Sequence, residues 1–458
     1  MLKEKEALLI DKYNVSGPRY TSYPTVPFWK NPHLNSIDWI NTLQTNFSFF
    51  NSTSCSVYVH LPFCESLCTF CGCHKRITKN HGVEQPYIKA LISEWKIYKQ
   101  LLPFTPEIKE MHFGGGTPTF FTPHNLLQLL EGLFESKQVN PEKVALSFEA
   151  HPNNTTEAHL KSLYAFGFRR LSLGIQDYNS IVQKAIHRFQ PFEQVKYVHE
   201  KAIEIGYHSI NHDLVYGLPK QTLKDVETTI ELTLKLLPHR IALYSYAHVP
   251  WIKGLGQRGF KDADIPNAKL KQDQYRLAKY KLLDNGYLEI GMDHFALPED
   301  ELSIALHNKS LHRNFMGYTT QQSQLLIGLG MSAISDSWFG FAQNEKVLED
   351  YIYRIENKEL AITKGHLLSD IDIEIRSHIK NLMCHFETQL QINSPFQAFY
   401  SKILERLSDM VQDELVCVTN NKISITEKGK PFVRNACMAF DLSLFTNSSM
   451  EGVFSKTI

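Results

Sequence analysis

The chain has 458 residues, too many for one small domain and enough for about two to three. Its 48 basic and 48 acidic residues cancel, which excludes a general polyanion binder, because a nucleic-acid surface would be basic. No apolar run reaches membrane-spanning length and the Lys- and Glu-rich start is not a signal peptide, so a cytoplasmic protein with no nucleic-acid partner and no membrane insertion is expected.

Residues 1–54 read as an irregular, aromatic N-terminal arm. Its motif is Gly17-Pro-Arg-Tyr-Thr-Ser-Tyr-Pro-Thr25, followed by Phe28 and Trp29. Two prolines and a glycine argue against a helix there. Tyr20 and Tyr23 pair apolar area with a polar tip, which suits a packed strap or an arm lying over a bound aromatic ligand.

The next stretch, Tyr58-Val-His-Leu-Pro-Phe-Cys64-Glu-Ser-Leu-Cys68-Thr-Phe-Cys71-Gly-Cys73, begins in a short apolar strand and gathers four thiols on one loop. Zinc sites usually bring two Cys or Cys/His pairs across a longer spacer. Here Cys55, Cys384, Cys417 and Cys437 stand alone. A four-iron cluster normally takes four thiolates. The C-x3-C-x2-C spacing of Cys64, Cys68 and Cys71 supplies three and leaves one iron open, and this resembles the radical S-adenosylmethionine (SAM) enzymes. Phe70, just before the third cysteine, fits their pattern.

From Cys55 to about residue 290, strand-like and helix-like stretches alternate. Strands are predicted at 56–60, 110–113, 144–149, 170–173, 210–215 and 241–246, and helices at 85–101, 123–134, 156–165, 192–205, 223–236 and 268–284. That cadence implies a parallel sheet with right-handed crossovers. The expected fold class is α/β, an incomplete (β/α)6 barrel over residues 55–290. Such architectures place chemistry at the carboxyl ends of the strands. The chain puts the cysteines there, then Gly114-Gly-Gly-Thr117-Pro, Glu149-Ala-His-Pro, Gly174-Ile-Gln176, Asp213-Leu-Val-Tyr-Gly and Tyr246-Ala247-His. A Gly-Gly-Gly-Thr-Pro run is a tight turn in most proteins; opposite an iron site it lets backbone approach a ligand closely. Glu149, Arg188 and Asp213 have ordinary ion-pair readings, but a carboxylate at a strand end needs a partner that a ligand ammonium or hydroxyl supplies.

After residue 290 the rhythm breaks. The region 291–369, with Gly291-Met-Asp-His-Phe-Ala296, Leu311-His-Arg313-Asn-Phe and Gly328-Leu-Gly330-Met-Ser-Ala-Ile334-Ser, is expected to be site-lining loops, because packed helices do not need so many glycines. Residues 370–458 read as a small winged-helix-like α+β domain. Without a basic run it suits a lid or packing role rather than DNA.

The motifs Gly17–Thr25, Cys64–Cys73, Phe113-Gly-Gly-Gly-Thr-Pro-Thr119, Gly217-Leu-Pro-Lys-Gln-Thr222, Tyr246-Ala-His, Gly291–Ala296 and His312-Arg-Asn-Phe together resemble the oxygen-independent coproporphyrinogen III oxidases (dehydrogenases) of anaerobic haem synthesis, nearly end to end. The resemblance implies a [4Fe-4S] cluster on Cys64, Cys68 and Cys71, with Cys73 not an iron ligand, and two SAM molecules. By motif the first contacts Tyr58, Phe70, Gly115, Glu149 and Ile334, and the second Gly116, Thr117, Gln176, Arg188, Asp213 and Ala247. The implied reaction turns the ring A and B propionates of coproporphyrinogen III into vinyls, giving protoporphyrinogen IX, with a low-potential donor such as flavodoxin or ferredoxin and a monomeric enzyme. One departure is His151, where the family pattern leads to an acidic residue after Glu149-x. A tetracarboxylate substrate in a neutral chain needs local cations, and Arg19 and Arg313 are the candidates for its propionates. Two rivals belong to the same superfamily: a haem chaperone, against which Cys73 and the 19–25 arm stand, and a haem-opening methyltransferase.

Overall fold

Apolar strands separated by amphipathic helices can bury both faces of a sheet only when the crossovers cover them, which favours a parallel arrangement. The computed structural model, which describes residues 2–30, 34–250, 257, 259–446 and 453–457, has this architecture. Strands β1 (Ser54–Leu61), β2 (Glu107–Gly115), β3 (Ala145–Ala150), β4 (Arg170–Gln176), β5 (Ser209–Tyr216) and β6 (Arg240–Ser245) lie side by side in chain order. All five neighbouring pairs are parallel. The crossover helices Glu84–Leu101, Pro123–Phe134, Glu157–Phe166, Phe192–Ile205 and Leu223–Leu236 fall within one residue of their predicted bounds.

Local chemistry explains why those bounds were readable. Thr156 and Thr222 each close a reciprocal capping box, with His159 and Asp225 respectively. Within Pro123–Phe134, Leu126, Leu129, Leu130 and Leu133 are buried at helical spacing and press on the sheet.

The sheet continues beyond the barrel strands on both sides. On one flank β7 (Leu288–Gly291) and β8 (His294–Ala296) add antiparallel strands next to β6. On the other, β9 (Leu325–Leu329) runs parallel to β1 and leads to the antiparallel β10 (Ile334–Ser337), β11 (Gly340–Asn344) and β12 (Ile362–Leu367). The twelve strands follow the order β12-β11-β10-β9-β1-β2-β3-β4-β5-β6-β8-β7, so the barrel is incomplete.

This corrects the expectation of loops across 291–369. Its glycines mark close backbone approach, not chain freedom: a Cβ on Gly328 would lie 2.6 Å from the Ile334 carbonyl oxygen. The first fifty residues are likewise less irregular than expected, since helices Leu2–Tyr13 and Ser36–Phe50 flank the Gly17–Thr25 motif.

That motif is a packed strap. Tyr20 and Tyr23 are buried in the core of the C-terminal module beside Ile375, Leu407 and Phe440. Arg434 from that module donates to Pro18 O at 3.0 Å and also to Gly17 O. The module has the predicted winged-helix pattern, with helices Asp370–His385 and Tyr400–Gln412 and a hairpin, Val416–Thr419 and Lys422–Ile425. The hairpin turns through Asn420 and Asn421, both left-handed.

Candidate active site

The cysteine loop leaves β1 and is clamped at its base and middle. Arg76 N donates to Pro62 O and Thr78 N to Cys64 O, both at 2.9 Å, so residues 63–64 and 76–77 pair as a short parallel ladder. Midway, Thr69 N reaches Ile186 O at 2.9 Å and its hydroxyl reaches Ala185 O at 3.0 Å. The clamped loop presents Cys64, Cys68 and Cys71, all half-buried, on one wall of a 690 Å³ cavity.

The facing wall is built from strand ends. Gly116 N donates to Leu61 O (2.9 Å) and Thr117 N to Phe63 O (3.0 Å), which prolongs the β1–β2 ladder past both strands. A Cβ on Gly116 would lie 2.6 Å from the Pro62 carbonyl, so glycine is required for this approach. The Thr117 hydroxyl then reaches Cys64 Sγ at 3.4 Å. Next door, Gly115 N donates to Glu149 Oε2 at 3.2 Å, and His112 Nε2 stands 3.6 Å from Oε1. The Glu149 side chain keeps 44% of its exposure, enough for a ligand to reach it. Burial works to raise its carboxyl, but the His112 ring and the Gly115 N–H outweigh that and hold it below the usual range.

At the β4 and β5 ends the charges alternate. Arg188 donates from Nη1 toward Cys68 Sγ at 3.7 Å and from Nη2 to Gly174 O, while its buried Nε has no partner among the described residues. Asp213 accepts from the Ser172 hydroxyl at 2.6 Å and from Asn211 Nδ2 at 2.8 Å, and burial pushes its carboxyl up to about 6. Gln176 ends β4 in a left-handed conformation (φ 69), a strained backbone of the kind that gathers at ligand sites.

Every expected cluster and cofactor residue except Tyr58 and Ile334 lines this one cavity. Tyr58 lies behind it, its ring 6.1 Å from His112 and near parallel. Ile334 sits against Gly328, whose register partner is Tyr58. Arg19 lines a different cavity and is ion-paired with Asp293. Arg313 donates from Nη1 to Arg19 O (3.2 Å) and Tyr20 O (2.7 Å), so it braces the arm.

Sequence reasoning missed His112 and Gln257. His112 was findable from strand parity, because it shares a register row with Tyr58 and Ser147 on adjacent strands. Gln257 Nε2 donates to Phe70 O (3.2 Å) and Ala247 O (3.0 Å), tying the cysteine loop to the exit of β6. Nothing in the local sequence marks that clasp.

A profile of the radical SAM superfamily matches residues 58–233. The oxygen-independent coproporphyrinogen III oxidase of Escherichia coli (strain K12) is 38% identical over 98% of each chain. That of Pseudomonas aeruginosa is 36% identical over 95% of each. A solved structure of coproporphyrinogen III oxidase from Escherichia coli, described as a radical SAM enzyme, matches with a TM-score of 0.87 at 35% identity, covering 95% of this chain and 98% of that one. The chain belongs to the oxygen-independent coproporphyrinogen III oxidase family.

The cofactors of this radical SAM family are a [4Fe-4S] cluster and SAM, and the donor set fits them. Each of the three thiols meets a donor: Thr117 O–H at Cys64, Arg188 at Cys68, and the Cys73 N–H at 3.5 Å from Cys71 Sγ. The Cys73 thiol, with Lys75 nearby, holds Cys71 below the usual thiol range, while burial pushes Cys64 up to about 11. Such contacts stabilise thiolate sulfur and tune a cluster's potential. Among the described residues, no three His, Cys, Asp or Glu side chains converge at the spacing of a single ion. No described helix is long and apolar enough to cross a membrane.

Proposed function

We propose that the chain oxidatively decarboxylates the ring A and ring B propionates of coproporphyrinogen III to vinyls, giving protoporphyrinogen IX, with two SAM molecules in the one cavity. One observation carries this reading. Three thiols, an ionised carboxylate and a guanidinium face the same 690 Å³ space, in a chain 38% identical end to end to an oxidase named for that substrate.

In this proposal Cys64, Cys68 and Cys71 ligate the cluster. Tyr58, Phe70, Gly115, Glu149 and Ile334 serve the first SAM, and Gly116, Thr117, Gln176, Arg188, Asp213 and Ala247 the second. When bound, the cluster and SAM would supply the one-electron, hydrogen-abstracting chemistry that a propionate needs to lose a hydrogen atom, carbon dioxide and one further electron. The chain's own residues bind, orient and exclude water. Glu149 offers an ionised acceptor to an ammonium or hydroxyl, and Arg188 a fixed cation to a carboxylate. Arg19 meets a propionate by exchanging Asp293 for it, and Arg313 acts through Arg19 by holding the arm backbone. A flavodoxin- or ferredoxin-like donor provides the electron, and the enzyme works as a monomer in the cytoplasm.

The test is turnover under argon with reconstituted protein, SAM, a reductant and coproporphyrinogen III. The expected result is divinyl product with carbon dioxide release. Tight haem binding without turnover, or a methylated ring-opened tetrapyrrole from haem, would overturn the proposal.

The second SAM position makes a pH prediction. Burial pushes the Asp213 carboxyl up to about 6, so the carboxylate is expected to be present above that pH and lost as pH falls through it. Affinity for the second SAM is therefore expected to weaken by up to about tenfold per unit below that point. Calorimetric titration of the cluster-loaded enzyme from pH 5 to 8 reads this. Asp213→Asn is expected to be weak throughout and to lack the acid limb.

A further inference from the structure

A chain with no net charge can still concentrate cations locally, and this one does so beside its active site. A second cavity, of 630 Å³, lies between helix Ala268–Asp284, helix Leu2–Tyr13 and the C-terminal module. Its volume is within the roughly 300–1,000 Å³ of small-molecule sites. Its lining holds eight Lys or Arg side chains against three carboxylates. Four of the cations are neutralised in place: Arg19 by Asp293, Lys279 by Glu289 at 2.7 Å, Lys430 by Glu427 at 2.8 Å, and Lys428 by Glu414 at 3.3 Å. Arg434 is occupied by backbone carbonyls.

Lys271 is different. Its Nζ donates only to Tyr246 O, at 3.1 Å, and among the described residues no carboxylate pairs with it. A half-buried ammonium without a counter-ion is unfavourable unless an anion arrives. Beside it, Gln272 Nε2 is buried with no hydrogen-bond partner among the described residues, a second donor awaiting an acceptor. Tyr275, Phe432 and Leu9 supply apolar walls, and the rim carries Tyr280 and Leu283, 67% and 43% exposed. The cavity also adjoins the cofactor space: Ser245 lines both, and Tyr246, whose carbonyl holds Lys271, lines the cofactor side.

We propose that this cavity binds an amphipathic polycarboxylate and seats one of its carboxylates on Lys271 and Gln272. Resting on the reading above, the occupant is the tetrapyrrole, whose unreacted propionates lie here while the reacting edge enters the cofactor cavity. Lys271 is thus a specificity-determining residue for substrate, outside the cluster and SAM contacts.

The test titrates cluster-loaded, full-length protein under argon with coproporphyrin III, the fluorescent oxidised tetracarboxylate, and with etioporphyrin III, a similar ring lacking carboxylates. Coproporphyrin III is expected to bind and etioporphyrin III to bind far more weakly. Lys271→Met is expected to raise the Kd for coproporphyrin III and the KM for the substrate about ten- to hundredfold. Its iron content and SAM affinity are expected to stay unchanged, and Lys271→Arg to recover most of the loss. Tyr280→Glu, at an exposed rim position that does not threaten folding, is expected to weaken the same binding. If both Lys271→Met and Tyr280→Glu bind coproporphyrin III like the wild type, the cavity assignment is overturned while wild-type turnover still stands. Equal binding of etioporphyrin III overturns it too. Carboxylate-dependent binding that is lost in Lys271→Met, in a wild type showing no turnover, supports the cavity and sinks the reaction instead.

Discussion

Replacing Cys64, Cys68 or Cys71 by serine is expected to give a colourless protein that no longer cleaves SAM, whereas Cys73→Ser is expected to keep its iron. The three sulfurs face the cavity from a loop clamped at residues 63–64, 69 and 76–78, which fixes where the ligands stand. Serine is a harder, less acidic ligand than a thiolate and is poorly matched to cluster iron. Losing an outer-shell partner of a metal site costs about 10- to 100-fold, and losing a ligand exceeds that. Cys73 differs in kind, since it is exposed and gives Cys71 only hydrogen bonds, a backbone N–H at 3.5 Å that serine retains and a thiol proton that the serine hydroxyl can replace. Thr117→Val, which removes the hydroxyl at Cys64, is a useful intermediate. Iron analysis, visible absorbance and 5′-deoxyadenosine formation read all of these, and a brown, SAM-cleaving Cys68→Ser would refute the ligand set.

The unevenness of what the sequence disclosed has physical causes. The cysteine loop was legible because its ligands lie within ten residues and need no tertiary contact to be recognised. The six barrel strands and their helices were legible because buried parallel strands are continuous apolar runs and Thr caps mark the helix starts. Strands β9 to β12 were not, because Gly328 and Gly330 suggest freedom when each in fact answers a neighbouring backbone: Ile334 in one case, His60 O in the other. Helix Leu2–Tyr13 was missed because its stabilisation comes from the C-terminal module, where Tyr13 donates to Asp413 at 2.6 Å across four hundred residues. Arg313 reads as a substrate cation because it lies in a histidine-rich motif, and only the folded chain shows its guanidinium directed at the arm carbonyls. Long-range partners of that kind leave no local signature. Glu149, by contrast, was legible from its place at a strand end, although its closest partners were not.

Glu149→Gln is expected to raise the KM for SAM about ten- to hundredfold with iron content unchanged, because a hydrogen bond to a charged group contributes about 1.5–3 kcal/mol. The substitution keeps the side-chain shape and one acceptor oxygen, so the Gly115 N–H at 3.2 Å can still be satisfied and the cavity wall should hold. What is removed is the negative charge, which the chain takes care to preserve: burial at this position works to protonate a carboxyl, and His112 and Gly115 counter it. That arrangement has a direction. A carboxyl held below its usual range is ionised throughout the neutral region, so the wild type should show no loss of the first SAM between pH 6 and 8, and the variant should be uniformly weak there. His112→Gln relaxes the restraint without touching the carboxylate. It is expected to bring the loss of affinity in at higher pH than in wild type, as the half-buried Glu149 carboxyl loses the partner that holds it ionised. Should Glu149→Gln bind SAM as tightly as wild type while His112→Gln loses it, the charge at the β3 end is structural, and the ammonium contact belongs to another acceptor on that wall.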